Sequence, residues 1–158
     1  MKKVIAAVLS LMFVLSIAAC GEGGESGETG ATDKIQAVTG EVVKAELPSG
    51  WCIVTSTEMT GAYGEDFICH SVEYQIGDPY LQVVPDSRDI EAVKEMLESE
   101  EPYGRYSGET ELANGRWYIA EKAAAAIIGE KTVVVKSYEC DLSSAAVQSI
   151  LGSLQPAE

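Results

Sequence analysis

Residues 132–154, read TVVVKSYECDLSSAAVQSILGSL, carry the pattern that decides the fold. The first part, Thr132–Cys140, is rich in β-branched residues and predicts a strand. The second part carries an apolar stripe at the i, i+3, i+4, i+7 spacing of an amphipathic helix, capped by Asp141 or Ser143. The stripe consists of Val147, Ile150, Leu151 and Leu154. Because only Asp141–Ser143 join the two parts, the helix must turn back over the nearest sheet face.

A run of strands precedes this pair. Asn114-Gly115 separates Glu109–Ala113 from Arg116–Lys122, and this dipeptide predicts a hairpin with a type I′ turn. Ala123–Ile128 is ambiguous, because four alanines favour a helix by propensity. We interpret it as a strand because strands flank it on both sides.

The first half of the domain predicts further strands and one helix. The predicted strands are Val42–Leu47, Trp51–Thr57, Asp66–Ile76 and Tyr80–Val84, the last ended by Pro85. Residues 87–100 predict an amphipathic helix stopped by Pro102. Short turns between successive strands imply an antiparallel sheet, and two amphipathic helices must cover its faces. The predicted fold class is therefore α+β.

Five segments together resemble the PsbP/Mog1-like superfamily over roughly residues 40–155. They are Leu47-Pro48-Ser49-Gly50-Trp51, the mid-chain helix predicted over 87–100, Gly115-Arg116-Trp117-Tyr118, the strand from Gly129 to Val135, and Val147–Leu154. The resemblance implies an α+β module that binds a protein partner and is not an enzyme. No partner-binding residue of the family carries over, because no partner motif matches.

The N-terminal residues predict an exported, lipid-anchored protein. Residues 1–19 have a basic start and an apolar run typical of a signal peptide. Ile17-Ala18-Ala19-Cys20 resembles the lipobox of bacterial lipoproteins, which implies lipidation of Cys20 and attachment to the outer face of the cell membrane. Residues 20–39 are predicted to hold the lipidated Cys and a flexible linker, and 40–158 a single domain.

The charge excludes one class of partner. The chain has 25 acidic and 11 basic residues, a net charge of −14. Such a chain is repelled by phosphate backbones, so nucleic-acid binding is excluded. Anionic lipid headgroups repel it as well, so membrane attachment must come from the lipid anchor.

The sequence carries no catalytic or metal-binding signature, so no enzyme, metal site or cofactor is predicted. His70 is the sole histidine, and its neighbour Cys69 points to the opposite face of a strand. Three cysteines remain beside Cys20, and they are either buried thiols or partly bridged. If two are bridged, Cys52–Cys69 is the expected pair, because the two lie in successive strands. A thiol-dependent enzyme would need a cysteine within about 4 Å of His70 in a cleft, and Cys52 or Cys140 could be that cysteine.

Aromatic and cationic residues form the last candidate site. Tyr103, Arg105 and Tyr106 lie in a loop before the hairpin that contains Trp117. These residue types are enriched at binding hot spots, so the four predict a surface for a protein, an envelope component or a glycan. We favour the other interpretation, in which Trp117 belongs to the core and the tyrosines are structural loop residues, because aromatic residues mostly serve packing.

Overall fold

The computed structural model describes residues 35–54, 64–71, 77–99 and 101–157. Within these residues the chain forms strands and two helices, in an order that matches the predicted α+β class. The elements are β1 (Gln36–Thr39), β2 (Val43–Leu47), β3 (Trp51–Ile53), β4 (Phe67–Ser71), β5 (Tyr80–Asp86), α1 (Ile90–Glu98), β6 (Tyr106–Leu112), β7 (Gly115–Ala120), β8 (Ala123–Ile128), β9 (Lys131–Tyr138), α2 (Ala145–Ser153) and β10 (Gln155–Pro156).

The described strands form two antiparallel sheets. The larger sheet has the order β3-β4-β5-β9-β8-β7-β6, and the smaller has the order β1-β2-β10. The central strand β9 pairs with β5 on one side and β8 on the other. The predicted antiparallel sheet with two helices is therefore confirmed.

The alanine-rich segment is a strand, as predicted, and its register explains the choice. Ala124 and Ala126 face one core, which also contains Trp117. Ala123 and Ala125 face a second core on the opposite side, under α1. Because β8 is covered on both faces, small side chains let both layers approach the sheet closely, and this packing outweighs the helical propensity of alanine.

The C-terminal helix packs as the apolar stripe predicts. All four stripe residues are buried against the sheet core together with β2 of the smaller sheet. The predicted caps are wrong by one or more residues, because Ser144 is the N-cap and its Oγ accepts from the Val147 N–H at 3.4 Å. Asp141 instead accepts from the Ser143 N–H at 2.8 Å in the turn before the helix.

Asn114 in the predicted hairpin has a tertiary role. Gly115 adopts φ 123°, but Asn114 stays outside the left-handed region, so the type I′ prediction is wrong. The Asn114 Nδ2 donates to the carbonyl oxygens of Leu151 and Leu154 at 2.7 and 2.9 Å. Its Oδ1 accepts from the Trp117 indole Nε1 at 2.9 Å. One side chain thus satisfies carbonyls at the end of α2 and holds the buried indole.

Asp66 joins the two sheets. Its carboxylate accepts hydrogen bonds from the backbone N–H groups of Glu41, Val42 and Val43, with distances from 2.6 to 3.1 Å. Gly40 makes this contact possible, since a Cβ at that position would overlap the carboxylate. The turn before β2 is therefore fixed by an acid that directly precedes β4.

Several predicted boundaries need correction. Residues 36–39, assigned to the linker, form β1 and pair with β2. Strand β5 continues through Pro85, which is tolerated because β4 pairs with β5 only as far as Val83. The predicted loop before residue 109 is shorter, because β6 begins at Tyr106. Helix α1 is shorter than the predicted 87–100, and its N-cap is Asp89.

The remaining boundaries fall within a residue or two of those predicted. The predicted signal peptide and lipobox lie outside the described residues, as do residues 21–34 of the linker and the ends of Trp51–Thr57 and Asp66–Ile76.

Candidate functional site

A cleft of about 1070 Å³ lies at the end of the larger sheet where β9 leaves it and the chain approaches α2. One wall comes from the connection before β6 and from the turn between β7 and β8. The other wall comes from the end of β9 and the approach to α2. Tyr103, Arg105, Glu121, Tyr138, Cys140 and Gln148 are among the lining residues.

Backbone hydrogen bonds fix the wall that carries Tyr103 and Arg105. The Lys122 N–H donates to the Tyr103 carbonyl at 2.8 Å, and the Glu121 N–H donates to the Arg105 carbonyl at 3.0 Å. Gly104 between them adopts φ 73°, and the Glu121 side chain fills the space that a Cβ there would need. The segment before β6 is thus hydrogen-bonded to the β7–β8 turn in the way that neighbouring strands of a sheet are bonded.

The opposite wall is held by side chains that bond to backbone. The Ser137 Oγ donates to the Cys140 carbonyl at 2.6 Å, and the Gln148 Nε2 donates to the Leu142 carbonyl at 2.8 Å. Glu139 between them adopts φ 61°, a conformation that costs energy for a residue with a Cβ. These bonds close a tight turn that directs the chain from β9 towards α2.

The cleft combines aromatic rings with charges of both signs. Tyr103 is half-buried, and burial raises the pKa of its phenol, with Arg88 acting in the opposite direction. Arg105, Lys122 and Lys136 bring positive charge, and four carboxylates bring negative charge. The acids are Glu109, Glu121, Glu139 and Asp141. Such a lining suits a polar ligand or a peptide segment better than an apolar molecule.

The structure divides the predicted aromatic surface. Tyr103 and Arg105 lie in the cleft. Tyr106 packs instead in the cluster beneath α1, where its hydroxyl is buried without a hydrogen-bond partner. Trp117 is 0% exposed, so it forms no part of a partner surface and the favoured interpretation, a core tryptophan, holds. The reason is the register, because Trp117 pairs with Ala126 on the face that α2 covers.

The register also rules out the predicted Cys52–Cys69 bridge. The two cysteines do lie on neighbouring strands, but Cys52 is opposite His70 and Cys69 is opposite Ile53. Since successive strand residues face opposite sides, the two thiols point away from each other. Cys69 is a free thiol in the core, and burial raises its pKa to about 12.

Cys140 is a free thiol as well, on the wall of the cleft. Burial raises its pKa to about 11.

Cys52 and His70 form a close pair, within the distance that a thiol-dependent enzyme would need, but neither residue lines the cleft. The Cys52 Sγ lies 3.4 Å from the His70 Nε2. The His70 Nδ1 lies 2.6 Å from the Ser71 carbonyl oxygen. Because a carbonyl can only accept, Nδ1 carries the ring proton and Nε2 accepts from the thiol. The signal was present in the sequence, since a cysteine and a histidine in successive antiparallel strands can lie opposite each other.

The described residues lack two further features. They contain no group of three or more His, Cys, Asp or Glu side chains that could hold a metal ion. They also contain no helix long and apolar enough to cross a membrane.

The class that the fold defines is an α+β domain with an antiparallel sheet between helices. No protein-family model matches the chain, and no curated protein is similar to it. A solved structure that resembles it is the solution structure of cyanobacterial PsbP (CyanoP) from Synechocystis sp. PCC 6803. The two share 12% identity over 85% of this chain and 98% of that one, with a TM-score of 0.46. A likeness at this level does not extend to function.

Proposed function

We propose that this protein is a lipid-anchored, extracytoplasmic binding module that is not an enzyme, and that the cleft beside Tyr103 and Arg105 binds a protein segment or an envelope component. In this proposal Cys20 carries the lipid and holds the protein to the outer face of the cell membrane. Residues 21–34 serve as a tether to the folded domain.

The cleft is the observation that carries the binding role. Its volume of about 1070 Å³ is large enough for several side chains of a peptide or a few sugar rings. Arg105 is exposed and Tyr103 half-buried, and both belong to residue types that dominate binding energy at interfaces. Backbone hydrogen bonds fix the positions of both residues, which lowers the entropy lost when a partner binds.

Site-specific photo-crosslinking in the intact, lipidated protein tests the cleft. A photoreactive amino acid replaces Arg105 in one variant and Glu130 in a matched control. Glu130 is exposed in the β8–β9 turn, at the opposite end of β9 from the cleft. We expect a discrete adduct from position 105 that the second substitution Tyr103→Ala removes. Identical adducts from both positions, or none from position 105, contradict the proposal.

The chemistry of the adduct distinguishes a protein or envelope component from a glycan or other solute. A protein adduct adds a fixed apparent mass on electrophoresis and is digested by protease. An adduct that resists protease and is removed by a glycosidase favours the glycan alternative.

Labelling with a radioactive fatty acid tests the anchor separately. The wild-type protein should take up label and fractionate with membranes, because two or three acyl chains anchor a protein stably. Cys20→Ser should take up none, and the control Cys140→Ser should be labelled as the wild type is. A wild-type protein without label contradicts the anchor but leaves the binding role of the cleft standing.

A further inference from the structure

A row of four side chains crosses the larger sheet on the face opposite α2. The strand register aligns Cys52 with His70, His70 with Tyr80, and Tyr80 with Tyr138. The rings of Tyr80 and Tyr138 stack, with centroids 4.3 Å apart and planes 16° apart. The row therefore runs from a thiol, through an imidazole, to an aromatic pair, and it ends at the rim of the cleft.

The thiol and the imidazole have the arrangement of an activated nucleophile. The Nε2 of His70 accepts from the thiol at 3.4 Å, and the Ser71 carbonyl orients the ring from its other side. A base that is itself oriented by a third group is the pattern that converts a cysteine to its reactive thiolate. Cys52 is partly exposed, so a reagent can reach it.

The other two thiols of the domain lack this activation. Burial raises the pKa of Cys69 to about 12 and that of Cys140 to about 11, so both stay protonated at neutral pH. Cys69 also faces the opposite side of the sheet from Cys52, so it cannot attack a disulfide formed there. Among the cysteines that the structure describes, one is paired with a base and two serve as internal controls.

We propose that Cys52 is a disulfide-exchange site that takes up a small disulfide, with preference for one that carries an aromatic ring. The His70 Nε2 accepts the thiol proton, and the Cys52 sulfur then attacks one sulfur of the incoming disulfide. A new sulfur–sulfur bond forms at Cys52 as the old one breaks, and the leaving thiolate takes the proton from the imidazolium. The Tyr80–Tyr138 pair offers a flat surface for the ring of the group that remains attached.

Disulfide exchange at Cys52 can be distinguished from hydrolysis by the fate of the modified cysteine. In a hydrolase, water releases the acyl group from the cysteine. A mixed disulfide at Cys52 instead remains, because no other described thiol lies on the same face to attack it. The adduct should therefore accumulate until an external thiol removes it.

The expected pH dependence follows from the groups near the thiol. The titratable side chains that neighbouring strands bring to this face are His70, Tyr80, Asp86, Lys136 and Tyr138, and Tyr103 lies close enough to interact with Tyr138. Among these groups, the His70 ring is the base within hydrogen-bond distance of the thiol, and it accepts the proton as the thiolate forms. The reaction rate of Cys52 should therefore rise at a pH well below the ordinary range of a thiol, about 8.5.

The experiment uses the wild-type domain from residue 21 and 4,4′-dithiodipyridine, a neutral aromatic disulfide whose released thione is followed by absorbance. Peptide mass mapping assigns the modified cysteine. At pH 6 we expect Cys52 to react at least about tenfold faster than Cys140, because an ordinary thiol is less than about 1% thiolate there. The pH–rate profile of the wild type should keep a plateau below pH 7.

Two variants extend the test. His70→Gln should lower the rate at Cys52 by about tenfold or more and remove the plateau, while thermal melting reports whether the variant is folded. Tyr138→Ala should slow the aromatic reagent more than cystamine, an aliphatic disulfide. A wild-type profile that rises once near pH 8.5, or a rate at Cys52 no higher than at Cys140, overturns the proposal even if His70→Gln fails to fold. Equal effects of Tyr138→Ala on both reagents overturn the aromatic preference.

Discussion

The two faces of the seven-stranded sheet differ in how completely they are packed. On one face α2 and the smaller sheet enclose a single continuous core that includes Trp117, whose indole N–H is satisfied by Asn114. On the other face α1 covers a smaller cluster, and two buried polar atoms there, the Gln82 Oε1 and the Tyr106 hydroxyl, have no hydrogen-bond partner. The Cys52–His70 pair lies on that second face.

This difference implies that the two faces contribute unequally to the stability of the domain. A buried polar group without a partner costs free energy, so a face that contains two of them contributes less to stability than its area implies. Reactive or strained groups are tolerated where the rest of the fold supplies enough stability. We therefore expect the α2 face to hold the domain together and the α1 face to tolerate change.

Removing the α2 face should have the largest effect. Deleting residues 146–158 removes all four buried stripe residues, and Ile150, Leu151 and Leu154 are each worth about 2–5 kcal/mol on truncation to alanine. A domain of this size has about 5–15 kcal/mol in total, so the variant should be unfolded or aggregated. Circular dichroism and thermal melts check this, with deletion of residues 22–32 as the control that keeps the fold. A cooperative melt without α2 would show that the core lies elsewhere.

A matched pair of leucines measures the difference between the faces directly. Leu151 of α2 and Leu97 of α1 are both 0% exposed. Leu151→Ala should cost about 4 kcal/mol, because its core cannot collapse, and Leu97→Ala about 2, because α1 can shift over the small alanines of the sheet. Urea titrations give both free energies of unfolding. Equal losses, or a larger loss at Leu97, would mean that the faces do not differ in this way.

The link between the two sheets should have a smaller effect. Asp66→Asn replaces one carboxylate oxygen with an amide nitrogen, which cannot accept a hydrogen bond from the N–H groups of the turn before β2. Hydrogen bonds to a charged group contribute more than neutral ones, so we expect a loss of about 2–3 kcal/mol. Chemical denaturation of Asp66→Asn beside Glu130→Gln, an exposed control, measures it. A loss no larger than that of the control would remove Asp66 as a link.

The smallest effect is expected at Asp86, on the rim of the α1 face. A hydrogen bond from Arg88 at 2.7 Å lowers the pKa of this carboxyl below its ordinary value. Its stabilisation is therefore present above the unfolded-state pKa of about 3.9 and is lost as the pH falls through the lower folded-state pKa.

The ion pair is partly exposed, so Asp86→Asn should cost less than about 1 kcal/mol at pH 7. The difference from the wild type should vanish near pH 2. Thermal melts of both proteins between pH 2 and pH 7 measure this. A stability difference that grows as the pH falls would contradict a stabilising ion pair between Asp86 and Arg88.

The sequence by itself determined most of the secondary structure and the α+β class. Helix and strand periods are properties of neighbouring residues, so the stripe around Leu151 and the β-branched run in β9 could be recognised locally. Even the ambiguous Ala123–Ile128 was assigned correctly, because its two neighbours were clear. Boundaries moved by a few residues where pairing partners decide them, as with the continuation of β5 through Pro85.

The site depended on information that no local pattern contains. Whether Trp117 faces the core or a partner is a choice between two faces, and one residue of register reverses it. The same register separates Cys52 from Cys69 and places it against His70. The cleft needs the connection before β6 to meet the approach to α2, which are distant along the chain. Only the tertiary structure decides these contacts, because non-local pairing fixes them while local sequence fixes only the elements that pair.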